Sequence, residues 1–398
     1  MKNSTKNFEQ IILEKEKAIK VIYVSSYIPR KCGIATFTKD LTNAINLLNP
    51  HALAEIMALV KNDENISYPW EVKFKINQDS LSSFLSAVEY INKSSADIIC
   101  IQHEFGLFGG NCGEYVIPFV ESIQKPIVST LHTVISDPSG HSGEVLKRLI
   151  DKSAAVTVMM KETKERLIKD YKINPSKIVT IPHGTPDLSF DPTEPYKRRK
   201  RLKNKIILGN INLLSRNKGI EYALEAVSII AKEVPNVLYL VIGQTHPDVL
   251  RHEGEKYRKS LYSLIKKLGI KKNVKFVNKY LTLEELIQWL KTIDFYITPY
   301  LDPQQSSSGA LAYAVGAGKV CISTPYLYAS EVLSEGRGIL VPFKNSKAIA
   351  EAVLEIIKNE KRKETIQKKA YDYGRLMTWS SVALKFLNLF KVVLGKSE

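Results

Sequence analysis

Polar residues in this chain gather directly behind stretches that read as β-strands. KVIYVS is followed by IPRKCGIATFT, where Gly33 leads into a helical pattern and Arg30 and Lys31 add positive charge. Glycine there permits a tight turn, and the free amides of a helix start suit an anion. DIICIQ is followed by His103 and Glu104, with Gly106, Gly109 and Gly110 close behind, where backbone can approach a ligand. PIVSTL is followed by His132. A buried, hydrogen-bonded histidine would explain one such position, but two at the ends of two strands are hard to explain by packing alone. His132 is suited to hydrogen-bond a substrate hydroxyl or to stabilise developing charge.

The second half repeats the arrangement. IILGNIN ends at Asn212 and runs into LLSRNKG, so Arg216, Lys218 and a helix start converge where a diphosphate would be the natural occupant. DFYIT is followed by the small, polar loop from Gln304 to Gly309, which includes Gln305 and Ser308. The amides of this loop and of Gly309, Ala310 and Leu311 are placed to cap the same phosphates. The segment from Ala310 to Gly316, with Tyr313 within it, is apolar enough to require burial, and Glu331 follows in a loop-to-helix context.

Positioning these groups requires strands that deliver them to one edge. Short β-branched runs at 20–25, 97–102, 126–131, 155–159 and 177–181 alternate with helical spacing at 36–48 and 80–93. The rhythm restarts at 205–211, 237–242, 274–277, 294–298, 320–323 and 338–341, with helices at 220–234 and 283–291. Strands this continuously apolar are covered on both faces, which implies parallel sheets flanked by helices, with ligands beyond the carboxyl ends. Between the two series lie Pro182, Pro186, Pro192, Pro195 and a basic run from Lys197 to Lys205, which read as a linker without helix or sheet. The expected division is a polar extension over 1–17, a first α/β domain over 18–190, a basic linker over 191–203, a second α/β domain over 204–375, and a C-terminal helix over 376–398.

The 398 residues suit roughly two to three domains. Hydrophobic residues at 44% and charged residues at 25% exclude a disordered or fibrous chain. No stretch approaches ~18–20 uncharged apolar residues, and the polar start lacks a signal-peptide core, so a cytoplasmic protein is expected. The formal charge of +16 favours anionic partners. The basic run reads as a solvated segment or as a patch for peripheral contact with an anionic membrane surface, while no nucleic-acid recognition pattern accompanies it. Cys32, Cys100, Cys112 and Cys321 form no CxxC and no zinc-type spacing, so neither a metal nor a redox pair is expected.

In this order and spacing, KCGIATFT, QHE, TLHT, IPHG, SRNKGIEYALEA, GALAYAVGAGKVCIST and ASEVL followed by GRGILV resemble the family 4, or group 1, retaining glycosyltransferases over about residues 18–395. The resemblance implies an α/β fold of GT-B type, with two tandem Rossmann-like, doubly wound domains facing a central cleft, the first (18–190) for the acceptor, the second (204–375) for the donor, and the end helix (376–398) returning to the first. It also implies metal-independent transfer of a sugar, with retention and no cofactor, from a nucleotide-sugar donor to a carbohydrate or glycolipid acceptor. It sets Gly33 beside the donor phosphate and acceptor, His132 at the donor sugar, Lys218 on the diphosphate, and the amides of Gly309 to Leu311 on the distal phosphate. His103 and Glu104 are expected on the acceptor side.

Two departures stand out. Gln305 and Tyr313 occupy the positions of two family glutamates, and a tyrosine offers one oxygen where a carboxylate accepts two hydrogen bonds from a ribose. The family's arginine one turn before the lysine is absent: Asn212 and Leu213 fill that stretch, and Arg216 stands two residues before Lys218. A retaining sugar phosphorylase using inorganic phosphate and a non-catalytic sugar- or nucleotide-binding protein are the alternatives.

Overall fold

The computed structural model describes residues 18–61 and 66–395. The expected extension over 1–17 lies outside the described residues. The first sheet comprises β1 (Val21–Ser25), β2 (Glu55–Val60), β3 (Val72–Asn77), β4 (Ile98–His103), β5 (Ile127–Leu131), β6 (Ala155–Val158) and β7 (Ile178–Thr180). Its spatial order is β3-β2-β1-β4-β5-β6-β7, and every neighbouring pair is parallel. The second sheet comprises β8 (Ile206–Ile211), β9 (Val237–Ile242), β10 (Val274–Val277), β11 (Phe295–Thr298), β12 (Val320–Ser323) and β13 (Ile339–Leu340). Its order, β10-β9-β8-β11-β12-β13, is again all parallel. Both are Rossmann-like, and each reverses direction once, at β1/β4 and at β8/β11. Those switch points open the crevice in which such sheets receive ligands.

The strands behave as apolar runs should. Every residue of β1, β4, β5 and β9 is buried, as coverage on both faces requires. Alternate residues such as Ile22, Val24, Ile99 and Ile101 in the first sheet and Tyr239, Val241, Phe295 and Ile297 in the second pack into a core on one face of each sheet. Two strands escaped the sequence reading. β2, EIMALV, is built from Glu, Met, Ala and Leu, which favour helices, and only its pairing with β1 decides otherwise. β3, VKFKIN, exposes Lys73 and Lys75, a pattern that belongs to an edge strand.

The supposed linker is a docked element. Residues Glu194–Arg199 form a helix with Pro195 in its first turn, where a missing N–H costs nothing. Lys197, expected to be solvated, is 4% exposed and pairs with Asp294 at 2.8 Å and Glu194 at 3.0 Å. Thr193 donates to the other Asp294 oxygen at 2.8 Å.

By internal contacts the chain forms two units. One comprises the described residues up to Val158, Lys164–Ile181 and the described residues from Val382, and the other comprises Met159–Thr163 and Pro182–Ser381. Residues 182–203 therefore lie in the second unit. No described helix is long and apolar enough to cross a membrane.

Candidate functional site

In the first unit, the carboxyl ends of β4 and β5 hold their polar side chains in a fixed pattern. The His132 amide donates to the His103 carbonyl at 3.0 Å, which extends the strand pairing by one step. His132 itself is buried, with Nε2 2.9 Å from Gln102 Oε1 and the ring edge-on to Phe37 at 5.0 Å. Both contacts lock its orientation. Glu104 Oε2 accepts from the Thr133 hydroxyl at 2.7 Å, and Oε1 accepts from the Phe105 amide at 3.0 Å. Burial raises the Glu104 carboxyl from its ordinary value, and those two hydrogen bonds oppose the rise.

The structure corrects three expectations in this unit. His103, expected on the acceptor side, is fully buried between Phe105 (5.0 Å, edge-on) and Phe108 (5.7 Å, stacked). Neither ring nitrogen has a hydrogen-bond partner among the described residues. Burial pushes it down to about 3, so it is a neutral core residue.

Arg30, read as charge for an anion loop, is also buried and donates to the Leu59 carbonyl at 2.9 Å and to Gln78 at 3.3 Å. Gly33 begins its helix without a positive φ, and a Cβ there would meet nothing within 4 Å. The chain itself does not require glycine at that position.

A stability prediction follows for His103. An unpaired polar ring in an apolar pocket costs free energy, so His103→Met should stabilise the protein by about 1 kcal/mol. The ordinary histidine value is 6.5 and the folded value about 3, so the unfolded chain takes up the proton first. This contribution is complete above pH 6.5 and is lost as pH falls through that window toward 3. His103→Met should therefore flatten the acid limb of a denaturation-midpoint-versus-pH curve, and an unchanged limb would reject the assignment.

In the second unit, the polar chain begins inside the sheet. Asn210 on β8 donates to the Ile297 carbonyl at 2.8 Å, and its Oδ1 accepts from Asn212 at 3.0 Å. Asn212 Oδ1 accepts from the Tyr300 hydroxyl at 2.6 Å. The buried Tyr300 ring, stacked on Tyr326 at 5.1 Å, forms a floor, and Lys218 Nζ lies 4.0 Å above its centroid. Among the described residues this ammonium has no hydrogen-bond or ion-pair partner, and burial pushes it down to about 8, with Asp302 opposing. Gly219, at φ 59°, turns the chain from Lys218 into the Ile220–Glu233 helix.

Ser308 also reaches Tyr300, whose hydroxyl burial pushes up to about 12 against its hydrogen bonds with Ser308 and Asn212. Ser308 caps the Gly309–Gly316 helix, its hydroxyl accepting from the Leu311 amide at 3.3 Å. That amide, expected on a phosphate, is thereby occupied, while those of Gly309 and Ala310 precede the first intrahelical acceptor. A half-buried cation and a helix N-terminus thus share one aromatic floor, an arrangement suited to a phosphate group.

Four more expected groups have other work. Arg216 is exposed and turned to Glu253 at 3.1 Å and to the Tyr257 ring at 5.5 Å, so it does not join Lys218 over Tyr300. Gln305 donates to its own loop, to the Ser307 carbonyl at 2.9 Å. Tyr313 is 5% exposed, its hydroxyl accepts from the Trp379 indole at 3.4 Å, and its single oxygen lacks the two acceptor oxygens of a ribose-holding carboxylate. Glu331 accepts from the amides of Lys161 (3.0 Å) and Glu162 (3.3 Å), capping a helix start.

One residue the sequence reading quoted without using it is His183 of IPHG. It is buried with Nδ1 2.8 Å from the Gly184 carbonyl, and a Cβ on Gly309 would lie 2.9 Å from its Nε2. Its position just past β7 was the available signal.

Comparison with known proteins places these features in context. The family model for glycosyl transferases group 1 matches residues 193–373, and that for glycosyltransferase family 4 matches residues 50–187. A protein of Methanocaldococcus jannaschii described as an uncharacterized glycosyltransferase is 24% identical over 255 residues, 62% of this chain. The match spans 61% of that relative's length.

Among solved structures, a glycosyltransferase of Rickettsia africae superposes with a TM-score of 0.74 at 18% identity, covering 95% of this chain and 100% of its own. Sucrose-phosphate synthase of Thermosynechococcus elongatus gives 0.76 at 17% identity, with the same coverages of 95% and 100%. The Anabaena protein HepE, solved with UDP-glucose, gives 0.71 at 15% identity, covering 94% and 99%. At these identities the likeness is one of fold.

Proposed function

Because the chain belongs to the group 1, family 4 glycosyltransferases, we propose that it transfers a sugar, with retention and without a metal ion, from a nucleoside-diphosphate donor to a carbohydrate or glycolipid acceptor. The observation that carries this reading is Lys218, a desolvated cation without an ion-pair partner among the described residues, held over Tyr300 beside the Ser308-capped helix.

As the bond to the sugar breaks, negative charge grows on the departing diphosphate. Lys218 and the amides of Gly309 and Ala310 stabilise that charge without having to reorganise. With no side chain acting as nucleophile, the acceptor hydroxyl enters on the face the diphosphate leaves and passes its proton to the departing phosphate oxygen, which preserves the anomeric configuration. His132, oriented by Gln102 and Phe37, binds a sugar hydroxyl. Glu104, with its raised carboxyl, serves the acceptor side. That a solved relative of the same fold is described with UDP-glucose supports a nucleotide-sugar as donor.

One observation favours a second reading. Tyr313 stands where a ribose-holding carboxylate is expected, and its hydroxyl is taken by Trp379. A phosphorylase would need no ribose contact. Incubating the protein with UDP-, GDP- and ADP-sugars and an acceptor panel, with and without inorganic phosphate, separates the two. Transfer without phosphate supports the proposal, and glycoside breakdown only with phosphate replaces it. Tight donor binding with no turnover in either arm would leave a binding protein.

Gly33 supplies a sharper test. Its Cα faces open space, so Gly33→Val should leave the unfolding midpoint within a degree or two of the wild type. The proposed transfer should nonetheless fall about tenfold or more, since the branched side chain would occupy ligand space. Equal loss of stability and activity would assign Gly33 a structural role.

A further inference from the structure

Ligand chemistry in the second unit is expected at the carboxyl ends of its strands. The amino ends hold a second cavity, of about 700 Å3, where β8, β11 and β12 begin. Phe190, Asp294, Phe295, Lys319 and Lys363 are among the residues that line it. It is bounded by the 190–197 segment on one side and the Glu360–Arg375 helix on the other.

Lys319 sits immediately before β12 and is 3% exposed. Its ammonium reaches one acceptor, the Lys291 carbonyl, at the long distance of 3.4 Å. It forms no ion pair among the described residues, and of the carboxylates lining the cavity Asp191, Glu194, Asp294 and Glu360 are held by other lysines, while the exposed Glu364 is not. Lys197 takes Asp294 at 2.8 Å, Lys291 takes Asp191 at 2.6 Å, and Lys363 takes Glu360 at 2.9 Å. Burial and the neighbouring lysines push Lys319 down to about 8, with Asp294 opposing.

Lys319 shares the field of Asp294, which Lys197 already holds, and an ammonium this desolvated is unfavourable unless further negative charge is supplied. At the cavity's rim Phe190 is 46% exposed, with one face packed on Tyr371 at 4.9 Å. The cavity therefore offers a desolvated cation and an aromatic surface for the body of a ligand. Its volume falls in the range of small-molecule sites.

We propose that this cavity is a second ligand site that takes a small organic anion, a phosphate or carboxylate carried on a sugar-sized body, with the anionic group at Lys319 and the body against Phe190. The inference rests on the amino-end geometry and does not require the transfer reaction.

Thermal unfolding of the full chain, with glucose 6-phosphate, glucuronate and neutral glucose as probes, tests it. The two anions distinguish a phosphate from a carboxylate ligand. Wild type should gain several degrees with at least one of them and nothing with glucose. Lys319→Met should unfold higher than wild type without ligand, because an unpaired buried charge is gone. Its half-saturating anion concentration should rise at least about tenfold, the usual loss when a hydrogen bond to a charged group is removed.

Phe190→Ala, at a half-exposed position, provides a variant that folds independently of the buried charge, and it too should weaken the response. Lys218→Gln should leave the response intact. A response lost in Lys218→Gln and kept in Lys319→Met would place the anion at the donor site and overturn the inference. So would an unchanged response in Phe190→Ala, or no shift in wild type with either anion.

Discussion

Lys218→Gln is expected to lower kcat/KM for sugar transfer by about 10²- to 10³-fold, the loss typical of removing one preorganised group that stabilises transition-state charge. The fold should survive, because the ammonium has no ion pair to break and its removal relieves a desolvated charge. The pH dependence gives a second readout. The free protein holds Lys218 at about 8, and a bound diphosphate would push it back up. Binding near pH 8 must then take up a proton, and affinity for a nucleoside diphosphate must fall as pH rises through about 8. Calorimetry at pH 8 in two buffers of different ionisation enthalpy measures the uptake directly. Identical heats in both buffers, or full transfer activity in Lys218→Gln, would remove Lys218 from the reaction.

Gly219→Val should be the most damaging single change in the second unit. Gly219 adopts φ 59°, a conformation a β-branched residue resists, and a Cβ there would lie 2.1 Å from the Pro299 carbonyl oxygen. That carbonyl is backbone and cannot rotate away. The cost should reach about 3 kcal/mol or more, read as a lowered urea midpoint. Because Gly219 joins Lys218 to the Ile220–Glu233 helix and abuts the residue before Tyr300, donor binding should fail even where the variant still folds. Gly219→Ala, with a smaller clash, should be intermediate on both measures. A valine variant as stable as wild type would mean that the turn can relax, and that the position of Lys218 is less constrained than its contacts imply.

Much of the candidate site could be read from residue order because parallel sheets place ligands by a simple rule. His132, Asn212, Lys218 and Ser308 all follow predicted strands, and each lies at a carboxyl end. The rule locates a residue along the chain but not the direction of its side chain. His103 obeys it as well as His132 does, yet one lies between Phe105 and Phe108 while the other is held by Gln102. Arg216 and Lys218 are two residues apart in one short turn, but Glu253 draws the first away and Tyr300 supports the second. The partners of His132, Arg216 and Lys218 lie thirty or more residues away, beyond any local pattern, whereas His103 is enclosed by rings only two and five residues on. The basic run failed for the same reason, since Asp294, about a hundred residues on, buries Lys197.

Apolar runs and their spacing were enough to establish two parallel, doubly wound sheets, because burial on both faces demands continuous hydrophobic strands whatever their neighbours. Glycine and polar punctuation behind those runs were enough to mark the edges where ligands belong. Tertiary structure alone decided which charged groups keep a free valence. A lone ammonium such as Lys218 or Lys319 differs from a paired one such as Lys197 only in whether a distant carboxylate comes within reach, and that depends on where the fold brings the remote segment.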